Sequence, residues 1–101
     1  MTMNPKVHTD FDLRICDIFR LSDQRTVIVG VIDDHPNRIG ATDCRIVVDG
    51  VEKGTITING EELLENAQRN RDTRALSTND QVPLDSETIR TADCRLVAVV
   101  E

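Results

Sequence analysis

The segment from Arg25 to Ile32 constrains the fold more than any other part of this sequence. It reads Arg-Thr-Val-Ile-Val-Gly-Val-Ile, so both sets of alternating positions are apolar. β-branched residues favour strands, and a strand that is apolar on both faces is typical of a central position with cover on both sides. Gly30 interrupts one face, which predicts a bend or a close approach of another backbone.

The residues before this strand predict a second strand with an irregularity. Phe11, Leu13 and Ile15 alternate with polar residues, but Asp17 then falls on an apolar position. Phe19 and Leu21 resume the apolar positions, so a bulge or a bend near Asp17 is expected, followed by a tight turn over 22–25.

Shorter strand patterns follow along the rest of the chain. Asp49-Gly50 is a strong turn signal between two of them, and Pro83 keeps 82–84 out of any central strand. About six short strands with no alternation of strand and helix predict an all-β fold, a small closed six-stranded antiparallel barrel with at most one short helix. The later strands are predicted at Cys44–Val48, Gly54–Ile58, Arg74–Thr78 and Cys94–Val100.

Two patterns allow alternatives. Asn59 followed by Glu62 resembles a capping box and favours a short helical turn over 59–67, whereas the other interpretation continues the strand through Leu64. The segments Asp43-Cys-Arg-Ile-Val and Asp93-Cys-Arg-Leu-Val begin 50 residues apart. They indicate either a duplicated unit or two strands that start alike because each leaves a similar turn.

Length and composition bound the class of protein. A chain of 101 residues forms one domain, here 10–101 after a leader at 1–9, and no stretch approaches the ~20 apolar residues of a membrane span. The net charge of −6 disfavours nucleic acid and anionic lipid as partners. Three cysteines without a CxxC motif, and no apolar signal segment, predict reduced thiols and a cytoplasmic location.

The best candidate for a ligand or partner surface is a short cationic stretch that contains Arg69, Arg71 and Arg74. Asp72 lies inside it, and a solvated loop is the simpler interpretation. Asp33-Asp34-His35 is interpreted as an acidic turn rather than a metal site.

No catalytic, metal or cofactor residue is predicted. Cysteines inside strands are usually core residues, so a Cys–His pair formed by Cys16 or Cys44 with His8 or His35 is not expected to act as a nucleophile. The carboxylates at 61, 62 and 65 are interpreted as a solvated face.

With the strands placed, the chain resembles the β-barrel second domain of GTP-binding translation elongation factors. Ile15–Leu21 resembles the first strand of that domain, and Ser22–Ile32 resembles its turn and "T-V-V-x-G-x-(I/V)" strand, with Thr26, Val27 and Gly30 at the matching positions. The resemblance implies the same small barrel.

The likeness extends over residues 11–99, through an Ile39-Gly40 turn and a last segment over 84–97. It departs from the family at Asp72-Thr73-Arg74, where the family has a glycine, and no GxxxxGK[ST] motif occurs, so no GTP chemistry is predicted. The expected function is a non-enzymatic binding module that docks a protein partner or itself. The alternative, from the resemblance, is an RNA- or translation-associated domain, because in that family the barrel helps to hold aminoacyl-tRNA.

Overall fold

The computed structural model describes residues 11–32, 39–62 and 73–99. These form six antiparallel strands and one short helix. The predicted all-β class, with six antiparallel strands in a closed sheet, is confirmed. The elements are β1 (Asp12–Arg20), β2 (Thr26–Val31), β3 (Thr42–Val48), β4 (Val51–Glu62), β5 (Thr73–Thr78), α1 (Ser86–Thr91) and β6 (Cys94–Ala98).

The strands follow the order β1-β2-β5-β4-β3-β6 around the ring, and β6 pairs back onto β1. The predicted turn at Asp49-Gly50 joins β3 to β4, with both residues at positive φ (50° and 84°), as a two-residue hairpin requires. The interior holds the inward side chains of every strand, and Leu13, Ile28, Ile46, Ile58, Leu76 and Leu96 have no exposed surface.

Gly30 confirms the predicted close approach. A Cβ built on Gly30 would overlap the side chain of Leu13 and the carbonyl oxygen of Arg14. Glycine is therefore the residue that lets β1 and β2 pack tightly at this point.

The bulge predicted near Asp17 is present. The register of β1 against β2 shifts between Ile15 and Asp17, which leaves Cys16 as the extra residue. Because one extra residue reverses the faces of a strand, Ile18 takes the interior position and Phe19 points outward. The sequence pattern had continued the apolar face through Phe19 and Leu21, and that assignment is wrong: they are 50% and 39% exposed.

The helical turn predicted over 59–67 is wrong as far as the structure describes it. β4 continues through Glu62, which supports the alternative strand, and residues 63–67 lie outside the described ranges. Pairing with β5 and with Ile39 decides this, because Glu61 donates its backbone N–H to the Ile39 carbonyl at 2.9 Å. The only described helix is α1, where Asp85 caps the N-terminus by accepting the Thr88 N–H at 2.8 Å.

The two echoing segments lie side by side. β3 and β6 pair antiparallel with Ile46 opposite Leu96, and the Asp43 carbonyl accepts from Val99 N–H just as the Asp93 carbonyl accepts from Asp49 N–H. If β1 is exchanged with β4, β2 with β5 and β3 with β6, the order of strands around the ring stays the same. The ring therefore has an approximate two-fold axis through the β3–β6 and β2–β5 pairs, an arrangement that favours the duplicated unit.

Cover on both faces of β2 was predicted and is only partly present. Ile28, Gly30 and Ile32 are buried, whereas Val27 and Val29 on the other side are half-buried. The interior covers one face of this strand, and its second face belongs to the outer surface.

Candidate functional site

The cationic stretch predicted as a partner surface is described at one of its three residues. Arg74 is the second residue of β5 and lies opposite Gly30, on the inner side of the strand. Its guanidinium donates to the Glu61 carboxylate at 3.2 Å. The side chains of Arg74 and Glu61 are only 10% and 16% exposed. Arg69 and Arg71 lie outside the described residues. The structure thus places Arg74 in a nearly buried ion pair at one end of the ring.

The cysteines differ sharply in environment. Cys44 is fully buried, and burial, together with the nearby Asp43 carboxylate, raises the pKa of its thiol to about 12. Cys94 is also buried, and burial raises its thiol pKa as well. Cys16 is exposed at the β1 bulge. A thiol with a raised pKa carries little of the thiolate that acts as a nucleophile.

The remaining candidates from the sequence provide no assembled site. Asp33, Asp34, His35, His8 and Glu65 lie outside the described residues. Within the described ranges, no group of three His, Cys, Asp or Glu side chains is placed to hold a metal ion. In the same ranges, no helix has the length and apolar character needed to cross a membrane.

An open depression of about 360 Å³ lies on the outer surface of β3 and β4. Thr57 is one of its lining residues: the Thr57 hydroxyl donates to Asp43 at 2.8 Å, and the Thr57 backbone N–H donates to Asp80 at 2.7 Å. Both carboxylates are thus engaged in hydrogen bonds with Thr57.

The sequence predicted two apolar sides on β2, but it missed that Phe19 of β1 extends the outer one. Phe19 pairs with Val27 across the two strands, so both side chains lie on the same outer face. We call Phe19, Leu21, Val27, Val29 and Val31 the apolar face. Among the described residues, the exposed large hydrophobic side chains are Phe19, Leu21 and Val51, and two of these three belong to this face.

Ion pairs border the apolar face. Arg25 donates to Asp23 and to Glu62, both at 3.0 Å. Arg25 lies just before β2 and Glu62 at the end of β4, so this pair reaches across β5, which lies between those two strands. Ala75 and Ser77, on the outer side of β5, are buried to 0% and 1% exposure. The outer side of β5 is therefore covered at these two residues, and the exposed apolar face ends at β2.

The outer surface of β3 and β6 combines charged side chains with two half-buried valines, Val47 and Val97. Arg95 donates to Asp12 and Asp93, each at 3.2 Å, and its cross-strand neighbour on β1 is Arg14. These bonds raise the pKa of Arg95 above its ordinary value. We call Arg14, Arg45, Arg95 and their acidic neighbours Asp12, Asp43 and Asp93 the charged face.

Comparison of the chain with protein-family models, with curated proteins and with solved structures found no match. The interpretation of this protein therefore depends on its own residues and geometry.

Proposed function

We propose that this protein is a non-enzymatic interaction module that docks a protein, or a second copy of itself, on the apolar face. The observation that carries the proposal is Phe19, half exposed on a pleated surface whose neighbouring Val27 and Val29 are also apolar. Aromatic side chains are the commonest anchors of protein interfaces. The sequence has only two aromatic residues, Phe11 and Phe19, and Phe11 is buried.

The contribution of Phe19 to the binding free energy follows from the apolar area that a partner would cover. A phenylalanine buries roughly 200 Å², so covering the exposed half of Phe19 removes roughly 100 Å² from water. At ~25 cal/mol per Å², this contributes about 2.5 kcal/mol, or about 60-fold in Kd. One anchor of this size supports a reversible contact.

Photo-crosslinking tests the proposal directly. A photoreactive phenylalanine analogue at position 19 is expected to form protein adducts in cells or, for self-association, dimers of the purified chain. The matched control places the same analogue at Val51, which is 55% exposed but lies at the β3–β4 turn. Equal yields of adduct from the two positions would count against a specific surface.

Loss of the anchor gives a second measurement. Phe19→Ser is expected to weaken the captured interaction by about 60-fold, whereas Val51→Ser leaves it unchanged. Sedimentation equilibrium then separates the two forms of the proposal, because only self-association gives a mass that rises with concentration.

A second candidate is an RNA- or translation-associated domain. The charged face favours it, since Arg14, Arg45 and Arg95 lie on three adjacent strands, and the resemblance to elongation-factor second domains points the same way. Against it stand the paired state of Arg95 and the net charge of −6.

A tRNA titration at low and at high salt decides between the candidates. Binding through phosphates must weaken steeply as salt increases, and Arg45→Gln should reduce both the affinity and the salt slope. An absence of binding at low salt would remove this candidate and leave the apolar-face proposal untouched.

A further inference from the structure

One strand has a long stretch with a paired strand on one side only. β4 pairs with β3 from Val51 to Ile58, but its ladder with β5 begins at Ile58. Among the described residues, 51–57 therefore have a strand neighbour on the β3 side alone. A backbone edge of this kind is a template for pairing with another chain.

Side chains occupy this edge at Thr57. The Thr57 N–H donates to the Asp80 carboxylate at 2.7 Å, and the Thr57 carbonyl accepts from the Thr78 hydroxyl at 2.7 Å. These two groups are the ones that a neighbouring strand would bind. A carboxylate and a hydroxyl thus replace the partner strand at this point.

The chain that supplies Asp80 runs beside the edge without joining the sheet. The Asn59 side chain donates to the Asn79 side chain at 2.7 Å, and the ring of Pro83 lies 3.8 Å from the position of a Cβ on Gly54. That Cβ position lies on the inner side of β4, where Ile56 also points, so Pro83 packs over the strand from the inside, and without an N–H it adds no bond to the ladder. We call residues 79–83 the edge guard.

The guard is fixed at its far end as well. Arg20 donates to the carbonyl oxygens of Val82 and Leu84 at 3.3 and 3.2 Å, and both of these side chains are buried. Asp80 is exposed and is held to the edge through its own carboxylate. The contact between Asp80 and Thr57 is therefore the part of the guard that a single substitution can open.

We propose that the edge guard masks a latent pairing surface on β4, and that the uncovered edge pairs with the same edge of a second copy. Thr55 lies two residues before Thr57 in an unbroken register, so its backbone groups face the same side. The register of β4 shifts between Gly54 and Glu52, so the regular part of the edge is 54–57. This part carries no charge, so an antiparallel pairing of two copies centred on Thr55 brings no like charges together there.

Three substitutions around Thr57 test this. Asp80→Ala removes the acceptor from the edge N–H, Asp80→Asn keeps an acceptor oxygen but removes the charge, and Asp43→Ala removes the other carboxylate bound to Thr57, through its hydroxyl. All three remove one negative charge beside the same residue, and only Asp80→Ala frees the Thr57 N–H, while the Thr57 carbonyl stays bound to the Thr78 hydroxyl. Each is made in a Phe19→Ser background, so that docking on the apolar face does not contribute.

Sedimentation equilibrium and amide hydrogen exchange provide the measurements. We expect Asp80→Ala to speed exchange of the Thr57 amide at least tenfold at low concentration and to form dimers as concentration rises. Asp80→Asn and Asp43→Ala should remain monomers. The proposal is overturned if Asp80→Ala is as monomeric as Asp43→Ala, or if core amides such as those of Ile46 and Leu76 lose protection together with Thr57.

Discussion

The approximate two-fold axis passes through the β2–β5 pair at one end and the β3–β6 pair at the other, and the outer surfaces at these two ends differ in character. Inside the ring the two pairs match, with Ile28 opposite Leu76 and Ile46 opposite Leu96. Outside, β2 presents half-buried valines and no charged side chain, whereas on β3 and β6 the half-buried Val97 and Val47 lie opposite Arg45 and Arg95. Both strand pairs thus supply the apolar interior that folding requires. The difference between their outer sides indicates that the two outer surfaces serve different purposes.

The largest expected effect concerns thiol reactivity, which tests whether the β3–β6 interior is closed. At pH 8, an aromatic disulfide reagent should label Cys16 quickly and leave Cys44 and Cys94 unlabelled until the chain unfolds. With a pKa of about 12 against the ordinary 9.0, Cys44 holds about a thousand-fold less thiolate. Cys16→Ser is the control, and rapid labelling of that variant would contradict a closed interior.

The Cys44 thiol should also make the free energy of unfolding depend on pH. Because the folded state raises the Cys44 pKa, it retains a proton that the unfolded chain loses. That contribution to stability is complete below about pH 9 and decreases as the pH rises toward about 12. Cys44→Ala should remove this part of the alkaline loss, as chemical unfolding at pH 8 and pH 10.5 would measure.

Shortening the interior side chains tests the match between the two strand pairs. Leu76→Ala and Leu96→Ala each leave a cavity at a fully buried position and should each cost about 3 kcal/mol of unfolding free energy. Urea unfolding measures both. If one cost less than half as much as the other, the two interiors would not be equivalent.

Glycine substitution locates the tight contact on the β2 side. Gly30→Ala should lower the free energy of unfolding by about 2 kcal/mol, because the added methyl overlaps Leu13 and the backbone of Arg14. Gly54→Ala is the control, since the nearest atom to its Cβ is 3.8 Å away. Equal costs for the two substitutions would show that the strand, rather than the close approach, requires glycine.

The smallest expected effect lies in the surface ion pairs. Arg25→Ala and Arg95→Ala should each change the free energy of unfolding by less than about 1 kcal/mol, because their side chains are 36% and 38% exposed. The remaining effect should shrink in 1 M salt. A larger cost for Arg25 at high salt would indicate that its side chain also packs over β5.

The sequence was sufficient to predict most of the strands and their closure. Alternating apolar residues predicted β2 and the strand over Gly54–Ile58, and the Asp49-Gly50 turn signal predicted the hairpin before it, because these follow from local rules. The bulge near Asp17 was predicted for the same reason. Its consequence, the outward turn of Phe19, depends on the exact residue at which the register shifts, and that is fixed by pairing with β2.

The failures arose where distant pairing overrode a local signal. Asn59 and Glu62 have the spacing of a capping box, but Glu61 and Glu62 pair with Leu76 and Ala75 of β5, so the strand continues. At Asp85 the cap is real, and the six-residue helix that it starts is too short to leave a periodic pattern. The valines of the apolar face were evident in the sequence as a second apolar side of β2, but which side stays uncovered, and that Phe19 joins it, are properties of the assembled ring.

The position of β6 has a consequence for how the chain reaches this structure. β6 lies between β1 and β3, and the Arg95–Asp12 bond joins residues 83 positions apart in the sequence. Closing so long a loop is entropically costly before any contact rewards it, so folding should be slow for a chain of this length, on the millisecond-to-second scale. Until β6 is in place, β1 and β3 each have an unpaired edge, and the intermediate rather than the finished ring is the species at risk of aggregation.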